Sequence, residues 1–198
     1  MPDFSFENEL KQKGYNYICG VDEAGRGPLA GPVCAAAVIL PNDINIEGIN
    51  DSKKLSEKKR ELLFDEIIQK AISYSVAFAS VEEIEEHNIL NATFLAMNRA
   101  IEGLKVKPDF AIIDGNLLPK GIMVDASPLV KGDSRSLSVA AASILAKVTR
   151  DRLLLEYDKD YPKYGFGSHK GYGTKAHIEA IKKYGVLKIH RKSFLKNI

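Results

Sequence analysis

Two cysteines, Cys19 and Cys34, are all that this 198-residue chain contains. They are too few for a disulfide framework, and both sit in apolar, strand-like stretches, so they read as buried thiols in a reducing compartment. Long apolar runs are missing as well. Nowhere do eighteen apolar residues follow one another, which argues against a membrane-spanning helix. Met1 to Gly14 mixes acids and lysines without a continuous apolar segment, so no export signal is recognisable and a soluble, cytoplasmic protein is expected. The histidines His87, His169, His177 and His190 are dispersed and form no Cys/His set with zinc spacing. Internal repeats and low-complexity tracts are absent too.

What is present suits one domain with a full core: hydrophobic residues make up 45% of the chain. The net charge of +2 conceals an asymmetry. Residues 161–198 hold nine Lys/Arg against the single acid Glu179, whereas residues 1–160 hold 19 Lys/Arg against 25 Asp/Glu. A basic section on an acidic body is the footprint of a polyanion ligand. Aromatic residues interleave with those charges at Tyr161, Tyr164, Phe166, Tyr172, Tyr184 and Phe194, as a nucleic-acid surface requires: cations for phosphates, rings for bases and sugars. We therefore expect a catalytic body at 1–160 and, within the same domain, a basic section at 161–198 that completes the substrate groove.

Apolar runs at Tyr17–Val21 and Val33–Leu40, joined by a Gly/Pro-rich connection, predict two buried strands. Ser56 caps a predicted helix to about Ala71, and a strand follows at Tyr74–Ala79. Ser80 and Glu83 form a capping box for one long helix that Gly103 ends. Pro108 introduces the strand Phe110–Ile113, and a short strand is expected at Gly121–Val124, then an extended Leu129-Val130. Ser134 or Ser136 opens a helix whose Ala140-Ala141-Ala142-Ser143 permits close packing on a sheet. Thr174 caps a last short helix stopping at Tyr184-Gly185. Strands first in a meander, then alternating with helices, imply an α/β mixed sheet covered by helices.

The chemistry concentrates at Val21-Asp22-Glu23-Ala24-Gly25-Arg26-Gly27-Pro28, where two adjacent carboxylates end an apolar run and glycines flank an arginine. An ionised carboxylate buried without a partner costs several kcal/mol. Either ion pairs with Arg26 and a lysine, or metal ions, must compensate the pair. Regular pleating would send Asp22 and Glu23 to opposite faces, so to share a site the backbone must bend or one must act through its main chain. Gly25 and Gly27 allow close approach of a ligand to backbone N–H groups, and Arg26 offers a planar fork. Asp114 also follows an apolar strand, and Asp133 precedes the small-residue helix. Asp125 and Asp151 rank below them, Asp125 for its Pro-containing stretch and Asp151 for its two arginine neighbours. An all-oxygen cluster of Asp22, Glu23, Asp114 and Asp133 selects Mg²⁺ or Mn²⁺; two such ions about 4 Å apart suit in-line displacement at a phosphodiester.

Further fragments extend along the chain: Ala30-Gly31-Pro32-Val33, Asn50-Asp51-Ser52-Lys53, Asn91-Ala92-Thr93, Ile113-Asp114-Gly115, Val130-Lys131-Gly132-Asp133, Ala141 to Lys147, and His169-Lys170-Gly171-Tyr172-Gly173-Thr174. With Gly20 to Gly27, this ordered set resembles the ribonuclease HII family over nearly the whole length. The resemblance implies a ribonuclease H-like fold with a five-stranded mixed sheet. It also implies endonucleolytic cleavage of RNA in RNA–DNA hybrids and at ribonucleotides embedded in duplex DNA, leaving 3′-hydroxyl and 5′-phosphate ends. Matched residue by residue, the family's metal-binding carboxylates fall on Asp22, Glu23, Asp114 and Asp133. The element that senses the ribose 2′-hydroxyl falls on Gly25, Arg26 and Gly27, and the tyrosine that reads the following deoxyribose on Tyr172. Lys53 and Lys170 are expected phosphate contacts.

The sequence stops soon after His190-Arg191-Lys192-Ser193-Phe194, without the C-terminal helical extension of some relatives that would add to the clamping of substrate. Only 21 residues precede Asp22, too few for the N-terminal substrate-binding domain of ribonuclease HIII relatives. No Gln-anchored aromatic motif of the sliding-clamp type is seen, and a monomer without an obligate protein partner is expected. Two rival readings are a Mg-ATP phosphotransferase of the same broad fold and a non-catalytic hybrid-binding module.

Overall fold

The computed structural model describes residues 1–42 and 44–196. Asp43, in the turn-rich stretch, and residues 197–198, at the end of the basic section, lie outside the described residues. In chain order the regular elements are α1 (Ser5–Gln12), β1 (Ile18–Ala24), β2 (Val33–Ile39), α2 (Glu57–Lys70), β3 (Ser73–Ala79), α3 (Val81–Glu102), β4 (Phe110–Asp114), β5 (Asp125–Leu129), α4 (Leu137–Asp160), α5 (Phe166–His169) and α6 (Lys175–Tyr184). The strands form one sheet in the order β3-β2-β1-β4-β5. β1, β2 and β3 pair antiparallel, whereas β4 runs parallel to β1 and β5 parallel to β4. This is the expected mixed five-stranded sheet flanked by helices.

Every residue of β2 is buried, as a strand covered on both faces demands. Cys34, Ala36 and Val38 join the core beneath α2 and α4, while Val33, Ala35, Ala37 and Ile39 join the core beneath α3. Burial pushes both thiols up in pKa, so Cys19 and Cys34 are packing groups. A Cβ on Gly20 would fall 2.2 Å from the backbone of Ser138 and Val139. α4 therefore crosses β1 nearly backbone to backbone, and its buried run Ala140-Ala141-Ala142-Ser143 is what lets it do so.

The expected caps form. Ser56 accepts from the Lys59 N–H and Thr174 from the His177 N–H, and Ser80 with Glu83 closes a full capping box. Of the two candidates for α4, Ser136 is the cap. Three features differ from expectation. The N-terminus carries α1, whose Glu7 is buried and accepts hydrogen bonds at the start of α4 from the Ser136 hydroxyl at 2.7 Å and the Ser138 N–H at 3.0 Å. α3 is interrupted at Asn88 (φ 65°), whose side chain then caps the second half through the N–H groups of Leu90 and Asn91. The last strand lies at Asp125–Leu129 rather than Gly121–Val124. Pro128 is tolerated there because β5 is an edge strand with one side unpaired.

Candidate nuclease site

β1 and β4 are in parallel register with Val21 beside Ile113, so the next residues, Asp22 and Asp114, follow side by side where the pairing of these two strands ends. Both belong to the face packed by α4, the face of Gly20. Pairing of β1 with β4 stops at Val21, while its pairing with β2 continues through Glu23 and Ala24. Beyond Val21 the β4 side of β1 is thus open, and Glu23 brings its carboxylate round. Asp22, Glu23 and Asp114 each place an oxygen within 4.8 Å of the others. The side chain of Glu23 does reach the cluster, which answers the pleating problem posed by the sequence.

Asp133 sits in the 3₁₀ turn Gly132–Ser134. That turn is tied to the cluster by the Gly132 N–H, which donates to Asp114 Oδ1 at 2.7 Å. The Asp133 carboxylate lies outside the 4.8 Å group but within its electrostatic reach. Of the lower-ranked acids, Asp125 accepts from the Tyr15 hydroxyl at 2.9 Å and Asp151 pairs with Lys147 at 2.7 Å, so both have structural partners.

The cluster is held against its own charge. Burial raises Asp22 well above the usual carboxylate range, and the charges of Glu23 and Asp114 add to the shift. Glu23 is raised by burial despite the opposing pull of Arg26, and Asp133 by burial and then by Asp51 and Asp114. The compensating cations present are modest. Arg26 touches Glu23 at 3.4 Å while half exposed, a geometry worth little in water. Burial alone would lower Lys53, but the charges of Asp22, Asp133, Asp51 and Asp114 together raise it, so its ammonium lies within electrostatic reach of the acids. Three clustered oxygen donors with their charge mostly unpaired suit a hard divalent cation.

Beside the cluster, the Gly25–Gly27 loop is shaped from beneath by two buried arginines that have backbone carbonyls as partners. Arg191, fully buried, donates to the carbonyls of Gly31 at 2.9 Å, Arg26 at 2.9 Å and Gly25 at 2.6 Å. Arg150 donates to those of Pro32 at 3.0 Å, Lys170 at 3.0 Å and Ala30 at 2.9 Å. Burial and the neighbouring Arg150 charge push Arg191 down to about 9, still protonated at neutral pH. A trans peptide sets N–H opposite C=O. With the carbonyls of Gly25 and Arg26 turned in toward Arg191, the N–H groups of Arg26 and Gly27 turn out toward the cleft.

That cleft, about 180 Å³, is lined by Glu23, the 24–27 loop, Ser52, Lys53, Ser143, Lys147 and Tyr172. Gly25 has no room for a side chain there: φ is +96° and a Cβ would lie 2.0 Å from Arg150 Nε. Gly27 is different, because a Cβ would meet only the Tyr172 ring at 3.6 Å. Tyr172, half exposed, therefore stands directly against the loop.

Lys53 is positioned by Asp51, which caps the 3₁₀ turn Ser52–Lys54, and by a 2.7 Å bond from Ser143 to Ser52. The structure thus brings Asp22, Glu23, Asp114, Asp133, Gly25, Arg26, Gly27, Lys53 and Tyr172 to one locality. Lys170 is the exception, since its ammonium turns back to the Gly167 carbonyl of its own loop. Arg150 and Arg191 were not singled out from sequence. Only their three-carbonyl environments distinguish them, and a run of residues carries no sign of that.

A mixed sheet with helices on both faces and an acid cluster where two parallel strands end defines a ribonuclease H-like nucleic-acid hydrolase. Solved structures share the fold. The ribonuclease H2 from Pyrococcus horikoshii OT3 aligns with a TM-score of 0.75 at 30% identity, over 92% of this chain and 100% of that one. The ribonuclease HII in a complex with PCNA from Archaeoglobus fulgidus aligns with a TM-score of 0.76 at 27% identity, over 89% of this chain and 94% of that one.

The chain belongs to the ribonuclease HII family, whose description, Ribonuclease HII, matches residues 19–197. Ribonuclease HII of Clostridioides difficile (strain 630) is 61% identical over 193 residues, 98% of this chain and 75% of that protein. It is therefore an enzyme of the ribonuclease H type, and the phosphotransferase and non-catalytic readings are set aside. No helix among the described residues is long and apolar enough to cross a membrane.

Proposed function

We propose that the chain is an endonuclease that cuts the RNA strand of RNA–DNA hybrids and incises duplex DNA at single embedded ribonucleotides, leaving 3′-hydroxyl and 5′-phosphate ends. One juxtaposition carries the reading: a three-carboxylate cluster adjoins a loop whose peptide N–H groups face the same cleft. Cleavage chemistry and ribose recognition then share one edge of the sheet.

Asp22, Glu23 and Asp114, with Asp133 close by, would hold Mg²⁺ or Mn²⁺. The chemistry such ions supply is activation of water and stabilisation of the leaving oxygen in an in-line displacement. The remaining tasks belong to the chain. Arg26 and Gly27 N–H groups hydrogen-bond the 2′-hydroxyl and adjacent phosphate, which only backbone free of a side chain can approach closely. Lys53 offers its ammonium to the scissile phosphate as substrate enters beside the acids. Tyr172 presses its ring on the deoxyribose that follows the ribonucleotide. The basic section from residue 161 onward extends the groove along the phosphates.

The test uses duplex DNA carrying one ribonucleotide, a continuous hybrid and an all-DNA duplex, each with Mg²⁺, with Mn²⁺ and with chelator. Cleavage of the first two substrates only, and only with cation, is the expected result. Asp22→Asn and Asp114→Asn should be inert while still binding hybrid; wild-type turnover by either variant overturns the assignment.

A further inference from the structure

Behind Tyr172 lies a cluster of imidazoles that the chemistry above does not use. His177 on α6 and His190 in the C-terminal segment are both fully buried, and their Nε2 atoms are 3.1 Å apart. His190 Nδ1 lies 2.8 Å from the Leu187 N–H. A backbone N–H can only donate, so His190 Nδ1 is an acceptor and the ring proton is on Nε2. His190 then donates to His177 Nε2, which leaves the His177 proton on Nδ1, where it donates to the Tyr172 carbonyl at 2.9 Å. One backbone donor thus sets both tautomers. The chain of bonds runs from Leu187, through both rings, to the main chain of Tyr172.

The same geometry requires both rings to be neutral. A second proton on His190 would set Nδ1–H against the Leu187 N–H. A second proton on His177 would set two Nε2–H groups against each other. The groups packed around the pair enforce neutrality. His169 stacks on His177 with centroids 4.3 Å apart and is itself engaged at both nitrogens, by the Gly171 N–H and the Tyr164 carbonyl. Phe166 contacts both rings and Tyr164 lies against His190. The adjacent Arg191 turns its guanidinium to carbonyls, while Glu82, Glu85, Glu86, Lys188 and Lys192 line a surface pocket that His190 also borders. Among the described residues, no carboxylate forms an ion pair with either ring. Burial lowers both histidines, His190 to about 4.

We propose that His177 and His190 are positioning residues for Tyr172: a neutral, tautomer-locked imidazole pair that fixes the peptide plane from which the Tyr172 ring stands against Gly27. The ring is half exposed and its hydroxyl makes no hydrogen bond among the described residues, so the orientation of that peptide decides where it points. His190 also bridges to Ala30, and the following Arg191 N–H donates to the Leu29 carbonyl at 2.8 Å. The segment that seats the histidine pair is therefore the one that underlies the glycine loop. The inference deepens the assignment of Tyr172 as the junction-reading ring and rests on it.

Two measurements test it on the full chain. Nitrogen-detected NMR at neutral pH should show His190 as the Nε2–H and His177 as the Nδ1–H tautomer; the opposite tautomer of either ring, or a charged ring, overturns the relay. The second measures kcat/KM on duplex DNA with one ribonucleotide relative to continuous hybrid for Tyr172→Ala, His177→Leu, His177→Asn and the Tyr172→Ala/His177→Leu pair. His177→Leu removes one of the two donors to the Tyr172 carbonyl, the other being the Thr174 N–H at 2.8 Å, and should lower that ratio about tenfold, the scale of one lost buried hydrogen bond. His177→Asn keeps a donor at the Nδ1 position and should restore the ratio to within about threefold. The double variant should lie no lower than Tyr172→Ala alone.

Equal losses on both substrates for His177→Leu, without rescue by His177→Asn, would make the histidines merely structural and overturn the proposal. If Tyr172→Ala shifts the ratio and His177→Leu does not, the relay falls while the reading of Tyr172 stands. If Tyr172→Ala leaves the ratio unchanged, the reading of Tyr172 itself falls, and with it the relay's purpose.

Discussion

The two sides of the Gly25–Gly27 loop make opposite uses of buried charge. On the cleft side, Asp22, Glu23 and Asp114 crowd like charges together with little to pair them. On the far side, Arg150 and Arg191 are more deeply buried still, yet their guanidiniums donate to six backbone carbonyls. The first region is unstable as it stands and is therefore ready to take up cations; the second is satisfied and therefore stiff. A site that binds a charged ligand needs both, because an unsatisfied cluster stays open only if its support cannot relax around it.

The largest test of this contrast is at the acids. Asp22→Asn should reduce cleavage by about a thousandfold or more. Without divalent cation it should leave the thermal midpoint unchanged or raise it, because it removes a repelling buried charge. A fall in both activity and midpoint would mean that the cluster is structural.

Arg191→Gln should behave in reverse. It leaves carbonyls without a donor and should cost about 3–5 kcal/mol of stability in denaturant unfolding. Activity at low temperature should fall less than it does for Asp22→Asn. Gly25→Ala should cost about 2–4 kcal/mol, through its positive φ and its clash with Arg150. Gly27→Ala, with only the Tyr172 ring in the way, should cost under about 1 kcal/mol while weakening incision at single ribonucleotides. Similar stability losses for the two alanines would contradict the one-sided support described above.

Acid gives a smaller and graded test. His190 titrates near 4 in the folded chain against an ordinary value of 6.5, so the unfolded chain binds the extra proton first. Its contribution to stability is complete above about 6.5 and is lost as pH falls toward 4, about 3 kcal/mol over that window. Asp22 has the opposite sign. Its folded pKa is raised, so its protonation favours the fold as pH falls and partly offsets the loss. His190→Gln should flatten the acid limb of the unfolding profile between pH 6.5 and 4; an unchanged limb would remove His190 as its cause.

Much of this molecule was legible from pattern. The buried strands, the caps at Ser56, Ser80 and Thr174, and the small-residue helix follow from local chemistry acting within a few residues. The acids that end β1 and β4 were legible for the same reason, since a carboxylate after an apolar strand stands out against its surroundings. Errors fell where a neighbour decides. Pro128 sits in a strand because that strand is at an edge, and Asn88 breaks a periodic helix by capping its continuation. α1 is held by a buried glutamate at the start of α4, more than a hundred residues away. The Lys170 ammonium meets the Gly167 carbonyl of its own loop, a contact that no local pattern signals.

The sequence by itself determined the class of chemistry: carboxylates near strand ends, a glycine-flanked arginine, and a basic, aromatic C-terminal section, each specified by side-chain type and spacing. Tertiary structure alone decided that Glu23 reaches the cluster across a pleat, that the loop's N–H groups face the cleft, and that two arginines underlie the loop while two histidines meet the main chain around Tyr172. Those outcomes depend on which carbonyl meets which donor across 13 to 166 residues of chain. A directional bond between distant segments leaves no periodicity to read.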